Sequence, residues 1–300
     1  MTETTTSVYA PPDRLARIKG DLLLVLVAAL WGSGFIAQRV ASQNIGPLTF
    51  NGIRFLLGAA ILLPFLRFRL TLNRAAMPYM LLAGFFLFAG SGLQQAGIQY
   101  TTAGNAGFIT GTYVVIVPFL MVFFFRQKVS WNSWLAAGLA LTGALLLSTG
   151  VTLNLSYGDS LMFASALMWA CHVIAVGKAS RKADVLSFAV IQYLVCGGLN
   201  LVFGILLEPT TAAGLTNAWW TFIYSGIFIV ALGFTLQAVG QKNAPTTDAA
   251  IILGTEAVFA ALFGAIFLAE RFAPIQLVGC LLIMVGIVVT QLRPAAVEPA

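Results

Sequence analysis

Charge is scarce in this chain. Of 300 residues only 9% are Asp, Glu, Lys or Arg, while 59% are apolar and the mean hydropathy is +0.93, a balance that excludes an ordinary water-soluble domain. There is one histidine and there are three cysteines, Cys171, Cys196 and Cys280. An odd number of cysteines inside apolar runs argues against a disulfide framework and leaves them as small buried hydrophobes. A lone histidine with scattered carboxylates supplies neither a metal-ligand cluster nor a nucleophile–base pair, so a membrane-embedded enzyme is disfavoured. The phosphate-cradling spacing GxxxxGK[ST] is also missing, so energy has to come from a solute gradient, an ion gradient or the membrane potential. No catalytic residue, cofactor or metal is expected.

What the chain does have is long apolar runs. Hydrocarbon about 30 Å thick needs roughly 20 apolar residues per helix, and such runs recur over 21–40, 48–66, 77–98, 104–125, 134–150, 160–177, 186–207, 219–239, 248–268 and 274–292. They are continuously apolar, without the alternation of a barrel strand, so helices are the way to satisfy the backbone in lipid. Several open on a proline near the first turn: Pro47, Pro78, Pro245 and Pro274. An all-α polytopic membrane protein with ten spans and almost no extramembrane domain is expected. Residues 1–19 are polar and are expected to be disordered, and the first run, too long for a signal peptide and without a small-residue cleavage site, is expected to be retained.

The basic residues set orientation. With the N-terminus inside, thirteen of the sixteen lie inside: Arg14, Arg17 and Lys19; Arg67, Arg69 and Arg74; Arg126 and Lys128; Lys178, Arg181 and Lys182; Lys242; and Arg293. Arg39 and Arg271 fall outside and Arg54 within a span. That asymmetry puts both termini in the cytoplasm. No basic patch with interleaved aromatics points to nucleic acid. The expected partners are a small-molecule substrate and membrane lipid, and the chain is taken as a monomer.

The sequence repeats itself. A shift of 138 aligns Asp21 with Asp159, Ala28 with Ala166, Trp31 with Trp169, Ile36 with Ile174 and Ala37 with Ala175; a shift of 143 aligns Gly111-Thr112 with Gly254-Thr255, Phe124 with Phe267, Lys128 with Arg271 and Gly143 with Gly286. The expected organisation is an N-terminal tail over 1–19, five-helix repeats over 20–150 and 151–292, and a cytoplasmic tail over 293–300. Because five is odd, the second copy enters the membrane from the opposite side. Inverted repeats of this kind let a site at their interface face either side in turn, as secondary transporters do.

The segment from Ala244 to Ile287, above all Phe267-Leu268-Ala269-Glu270-Arg271 and the following Gln276 to Gly279, resembles a repeat end in the drug/metabolite transporter superfamily, specifically its EamA-like ten-helix metabolite exporters. The first half resembles it more weakly, with Gln127 where the second has Glu270, and the opening Trp31-Gly32-Ser33-Gly34-Phe35 resembles the family's first helix. The resemblance implies that a small metabolite or drug is moved across an inner membrane, commonly outward, without saying which.

Candidate site residues follow from polar groups at depth. Trp31 and its mate Trp169 lie mid-span, where an indole N–H is costly to leave unpaired; they are read as walls of a central cavity, against the alternative of plain packing. Residues 31, 34, 35 and 38 share a helical face, joining Trp31 to Gly34 and Gln38. His172, on the Trp169 face, titrates in a range that suits a proton-coupled step or a carboxylate contact, or else joins two helices. Glu256 lies about eight residues into its span, roughly 12 Å deep at 1.5 Å per residue, where a carboxylate is a functional hypothesis by default. Its alternatives are a structural pair with Arg54 or a neutral carboxylic acid bonded to a neighbouring helix, and its repeat mate is Tyr113.

Amides and hydroxyls cluster at Ser91, Gln94, Gln95 and Gln99, at Asn105, Thr110, Thr112 and Tyr113, and at Gln237 and Gln241, either lining a wet cavity or tying helices together. Of these, Gln94, Gln95, Thr110, Tyr113 and Gln237 are added to the candidate substrate-binding set. Asp21, Asp159 and Asp248 are read as complements of helix N-termini. Gly104, Gly107 and Gly111 form a stripe expected to allow close helix approach, and Pro118 is expected to kink that helix. The favoured reading is export of small amphipathic metabolites, amino acids first and aromatic or bulky ones among them, by alternating access. The alternative is proton-coupled export of lipophilic cations.

Overall fold

The computed structural model describes residues 14–100, 103–148, 156–268 and 273–292, and among them every regular element is helical. Nine helical stretches are long and apolar enough to cross a bilayer, and the shorter apolar helix Trp131–Leu147 makes a tenth. In the first repeat these are α1 (Arg14–Ser42), α2 (Pro47–Leu62, extended by a 3₁₀ turn to Leu66), α3 (Met77–Gly97), the pair α4 (Ala103–Gly111) and α5 (Tyr113–Phe123), and α6 (Trp131–Leu147). In the second they are α7 (Tyr157–Ser180), α8 (Val185–Leu207) and, after the short α9 (Ala212–Asn217), an eighth-to-tenth set. That set comprises α10 (Trp219–Tyr224) running through a π-helical segment (Ser225–Phe234) into α11 (Thr235–Gln241), the pair α12 (Thr246–Leu253) and α13 (Glu256–Leu268), and α14 (Pro274–Gln291).

The pairings obey a twofold. The second helix packs on the seventh (α2 on α8) and the fifth on the tenth (α6 on α14), while α3 on α7 has its counterpart in the π segment and α11 on α1. Likewise α1 on α12 and α13 has its counterpart in α7 on α4 and α5. Burial is inverted relative to a soluble protein: Leu22, Phe85, Phe119, Ile205 and Val288 are exposed, whereas Gln95, Gln192, Asn200, Gln237 and Gln241 are fully buried. Exposed apolar faces suit lipid, and buried amides find partners on neighbouring helices. The chain is a multi-pass membrane protein.

Both fourth and ninth spans are interrupted at the dipeptides that the repeat aligns. Thr112 N bonds Ile109 O at 3.1 Å and Thr255 N bonds Ile252 O at 3.1 Å, so in each span the ladder tightens for one turn from i−4 to i−3 spacing. Each threonine hydroxyl also donates to that same carbonyl at 2.6 Å. The interruption therefore lies at Thr112 and not at Pro118, which sits inside α5. Two glycines of the stripe behave differently from expectation, the surroundings of Gly104 lying outside the described residues: a methyl at Gly107 would meet nothing within 4 Å and one at Gly111 would touch only Ala144 at 3.6 Å. Close approach is made elsewhere, at Gly143 with Gly279, at Gly20 with Gly240, and at Gly32, where an added carbon would lie 2.8 Å from Glu256 O.

At the end holding the α1 N-terminus the bundle is solid. Leu24, Val27, Val117, Met121, Ile251 and Leu253 belong to one fully buried cluster. Beyond it Arg17 Nη2 donates to Asp248 Oδ2 at 3.1 Å and to Thr290 O at 3.3 Å, and Ser133 donates to Asp248 Oδ1 at 3.2 Å. Asp159 caps α7 reciprocally with Ser156, as its place at a span start implies, and Asp248 lies in the first turn of α12. Asp21 does not fit that reading: α1 begins at Arg14, inside the stretch expected to be disordered, so Asp21 lies within the helix, 3.8 Å from Arg17 Nε. At the opposite end Glu208 accepts the backbone N–H groups of Leu48 and Thr49, each at 2.8 Å, closing the α2 N-terminus. Residues 1–13, 269–272 and 293–300, with the expected Glu270-Arg271 pair and the C-terminal tail, lie outside the described residues.

Candidate functional site

A small cavity of about 40 Å³ opens among the spans, bordered by both repeats. From the first repeat come Trp31, Phe35, Gln38, Arg54, Gln94, Thr110 and Tyr113; from the second come Trp169, Val173, Ile229, Phe234 and Glu256. Seven of the eleven residues proposed from sequence thus share one wall system. Trp31 and Trp169 rest against the buried cluster that fills the far end, so the lining runs from mid-span toward the end where α1 terminates.

Its aromatic wall is a set of three rings. Trp31 and Phe234 have centroids 4.7 Å apart, Trp169 stacks on Phe234 at 6.0 Å with 9° between planes, and the two indoles lie 6.4 Å apart. Phe234 ends the π-helical segment. That segment is tied from behind by Tyr193, whose hydroxyl donates to Val230 O at 2.9 Å and contacts Thr235 Oγ1 at 3.0 Å. A π turn places an extra residue in the turn and redirects the side chains that follow, a device common at functional sites. Phe234 was not distinguishable by sequence from the other phenylalanines; its central position depends on this backbone detail.

The polar lining is unevenly satisfied. Trp169 Nε1 donates to Gln94 Oε1 at 2.7 Å, but Trp31 Nε1, Thr110 Oγ1 and Tyr113 Oη have no hydrogen-bond partner among the described residues. The Glu256 carboxylate has neither a hydrogen bond nor an ion pair among the described residues, and Arg54 is not paired with it. The two break residues Tyr113 and Glu256 begin α5 and α13, each directly after its interruption. Glu256 thereby sits at a helix N-terminus, whose partial positive charge favours an anion, and three groups that would otherwise be orphaned in hydrocarbon face a common space.

Four sequence candidates are placed elsewhere. Gly34 packs behind the wall, where an added carbon would lie 3.0 Å from Ile229 Cδ1. Gln95 turns back to donate to Gln38 O at 2.9 Å, tying α3 to α1. His172 is fully buried, with Nε2 3.1 Å from Gln192 Oε1 and its ring edge-on to Trp169 and Phe234 at 5.6 and 5.8 Å, so it supports the aromatic wall from behind. Gln237, the repeat mate of Gln94, donates to Gln241 Oε1 at 2.9 Å. Gln241 in turn donates to Val173 O at 2.9 Å. Gln95 and His172 thus join helices, whereas the bond of Gln237 stays within α11 and only Gln241 carries the chain of bonds across to α7. The three cysteines are free thiols.

The comparisons bear on what such an architecture belongs to. The profile of the EamA-like transporter family matches twice, over residues 18–149 and 156–292. The chain belongs to the EamA-like transporter family. An uncharacterized transporter of Archaeoglobus fulgidus is 31% identical over 288 residues, covering 94% of this chain and 88% of that protein. A probable amino-acid metabolite efflux pump of Escherichia coli is 25% identical over 295 residues, covering 90% and 93%. A solved crystal structure with a TM-score of 0.76 at 16% identity covers 91% of this chain and 96% of its own, which shows the shared fold. This EamA-like transporter therefore carries its cavity between two copies of one family unit.

Proposed function

We propose that this EamA-like transporter exports small amphipathic metabolites, amino acids with bulky or aromatic side chains foremost, by alternating access through the cavity between its repeats. The observation that carries the reading is the Trp31–Phe234–Trp169 wall beside the unpartnered Glu256 carboxylate. Rings suit an apolar side chain, and the carboxylate suits an ammonium group brought out of water. Trp31 Nε1, Thr110 and Tyr113 are further donors for a substrate's polar atoms or for water. The efflux-pump name of the Escherichia coli relative supports the same direction and substrate class.

With both termini in the cytoplasmic leaflet, as the basic residues imply, the solid end of the bundle faces the cytoplasm and the cavity lies toward the exterior. This is an arrangement for releasing substrate outward. Reversal requires the Leu24–Leu253 layer and the Arg17–Asp248 contact to separate while the opposite ends close. Full-length protein in liposomes, offered labelled amino acids, sugars and cationic dyes with and without a pH gradient, tests the reading. Saturable uptake of aromatic amino acids is the expected result; dye uptake alone would replace it with the proton-coupled cation exporter, which uses the same carboxylate.

A further inference from the structure

Arg54 is the unexplained charge of the cavity. Its side chain is almost fully enclosed, 3% of the residue being exposed, and it borders the same space as Glu256. Among the described residues only its Nε is hydrogen bonded, to Asn51 Oδ1 at 2.9 Å, and its guanidinium carbon lies 4.9 Å and 5.0 Å from the ring centroids of Phe50 and Phe55. Those rings hold the cation in place without neutralising it. No carboxylate of the described residues pairs with it. A guanidinium withdrawn from water with its outer N–H groups unmatched is an anion site waiting for an anion, because its planar fork fits a carboxylate with two parallel hydrogen bonds.

The arrangement with Glu256 is informative. One cavity holds a cationic group from α2 and an anionic group from α13, and the two do not meet. A pair placed for stability would close into a salt bridge, whereas a pair kept apart can be bridged by a molecule carrying both signs. We propose that Arg54 is the receptor for the substrate's carboxylate, so that the transporter selects zwitterions and disfavours purely cationic molecules by like-charge repulsion. This rests on the substrate class proposed above and adds its second point of attachment.

The test uses full-length protein in liposomes, labelled phenylalanine, and three unlabelled competitors: phenylalanine itself, its methyl ester and phenethylamine. For the wild type, the ester and the amine should each compete at least about tenfold more weakly than the free acid, a ratio that needs no variant to fold. In Arg54→Gln the free acid should weaken until it competes no better than the amine, while the amine, freed of the like charge, should compete better than it does in the wild type. Arg54→Lys, which keeps charge but loses the fork, should fall between. Equal competition by acid and amine in the wild type, or parallel weakening of all competitors in both variants, would overturn the role of Arg54 while leaving amino-acid transport intact. Uptake of cationic dyes with none of phenylalanine would instead overturn the transport reading, and this inference with it.

Discussion

At Thr112 and at Thr255 the fourth and ninth spans break in the same way, with the same i−3 backbone bond and the same threonine hydroxyl on the same carbonyl. The residue that follows is a tyrosine in one and a glutamate in the other, and both border the cavity. The scaffold has thus kept its twofold while the chemistry on it has diverged. The same holds one turn of the symmetry away: Gln94 lines the cavity and holds Trp169, whereas its mate Gln237 is turned into a chain of buried amides. On the proposed alternating-access cycle the symmetric backbone lets the two halves exchange conformations, while the asymmetric side chains place Arg54 of the first repeat and Glu256 of the second on one cavity.

The comparison breaks most visibly at Glu256. Glu256→Gln should lower the initial rate of amino-acid uptake at least about 30-fold, because an ionic contact to a buried charge is worth about 2–5 kcal/mol. The unfolding temperature in detergent should barely move, since the carboxylate holds no partner among the described residues. Next comes the backing of the two breaks. Gly32→Ala would drive a methyl to within 2.7 Å of Ala260 N and 2.8 Å of Glu256 O, which should destabilise by about 1–3 kcal/mol through overpacking. Gly107→Ala near the first break meets open space and should be neutral or stabilise by up to about 1 kcal/mol, as a helical glycine replaced without strain does. Thermal unfolding of the two variants in parallel checks the contrast.

A smaller effect is expected for Tyr113→Phe. Loss of one hydroxyl facing the cavity should reduce uptake about fivefold, in line with about 1 kcal/mol for a neutral hydrogen bond. An effect as large as that of Glu256→Gln would mean that the two break residues share one task. The smallest effects belong to Thr112→Val and Thr255→Val. Equal losses of about two- to threefold in transport rate are expected, within the range of single hydroxyl deletions. Unequal losses would show that only one span flexes at its break.

Much of this was legible before any coordinates. Lipid forbids unpaired backbone and lipid-facing amides, so span count, all-helical class and the inward direction of Gln94, Gln95, Thr110, Tyr113 and Glu256 follow from composition and periodicity. Which inward amides meet a cavity and which meet another helix does not follow, because Gln94 and Gln237 occupy equivalent positions in the repeat. His172 and Phe234 exchanged importance for a related reason: the histidine is behind the wall and the phenylalanine is in it, a consequence of the π turn over Ser225–Phe234. The breaks did leave a signal, the Gly-Thr pair that recurs 143 residues apart directly before Tyr113 and Glu256. Pro118, although a proline is the usual cause of a kink, lies inside the unbroken α5.

The claim on which the rest depends is that Tyr113 and Glu256, one from each repeat, face a single water-filled space in the middle of the membrane. The direct measurement is the reaction of single cysteines at positions 113, 256 and 266, in a protein whose native cysteines are replaced, with a small charged thiol reagent in intact liposomes. Both 113 and 256 should react, and 113, whose variant keeps the Glu256 carboxylate, should be slowed by a transported amino acid, while 266, on the exposed apolar face of α13, stays inert. Reaction at 266 with 113 and 256 inert, or no slowing at 113 by any transported solute, would contradict the account.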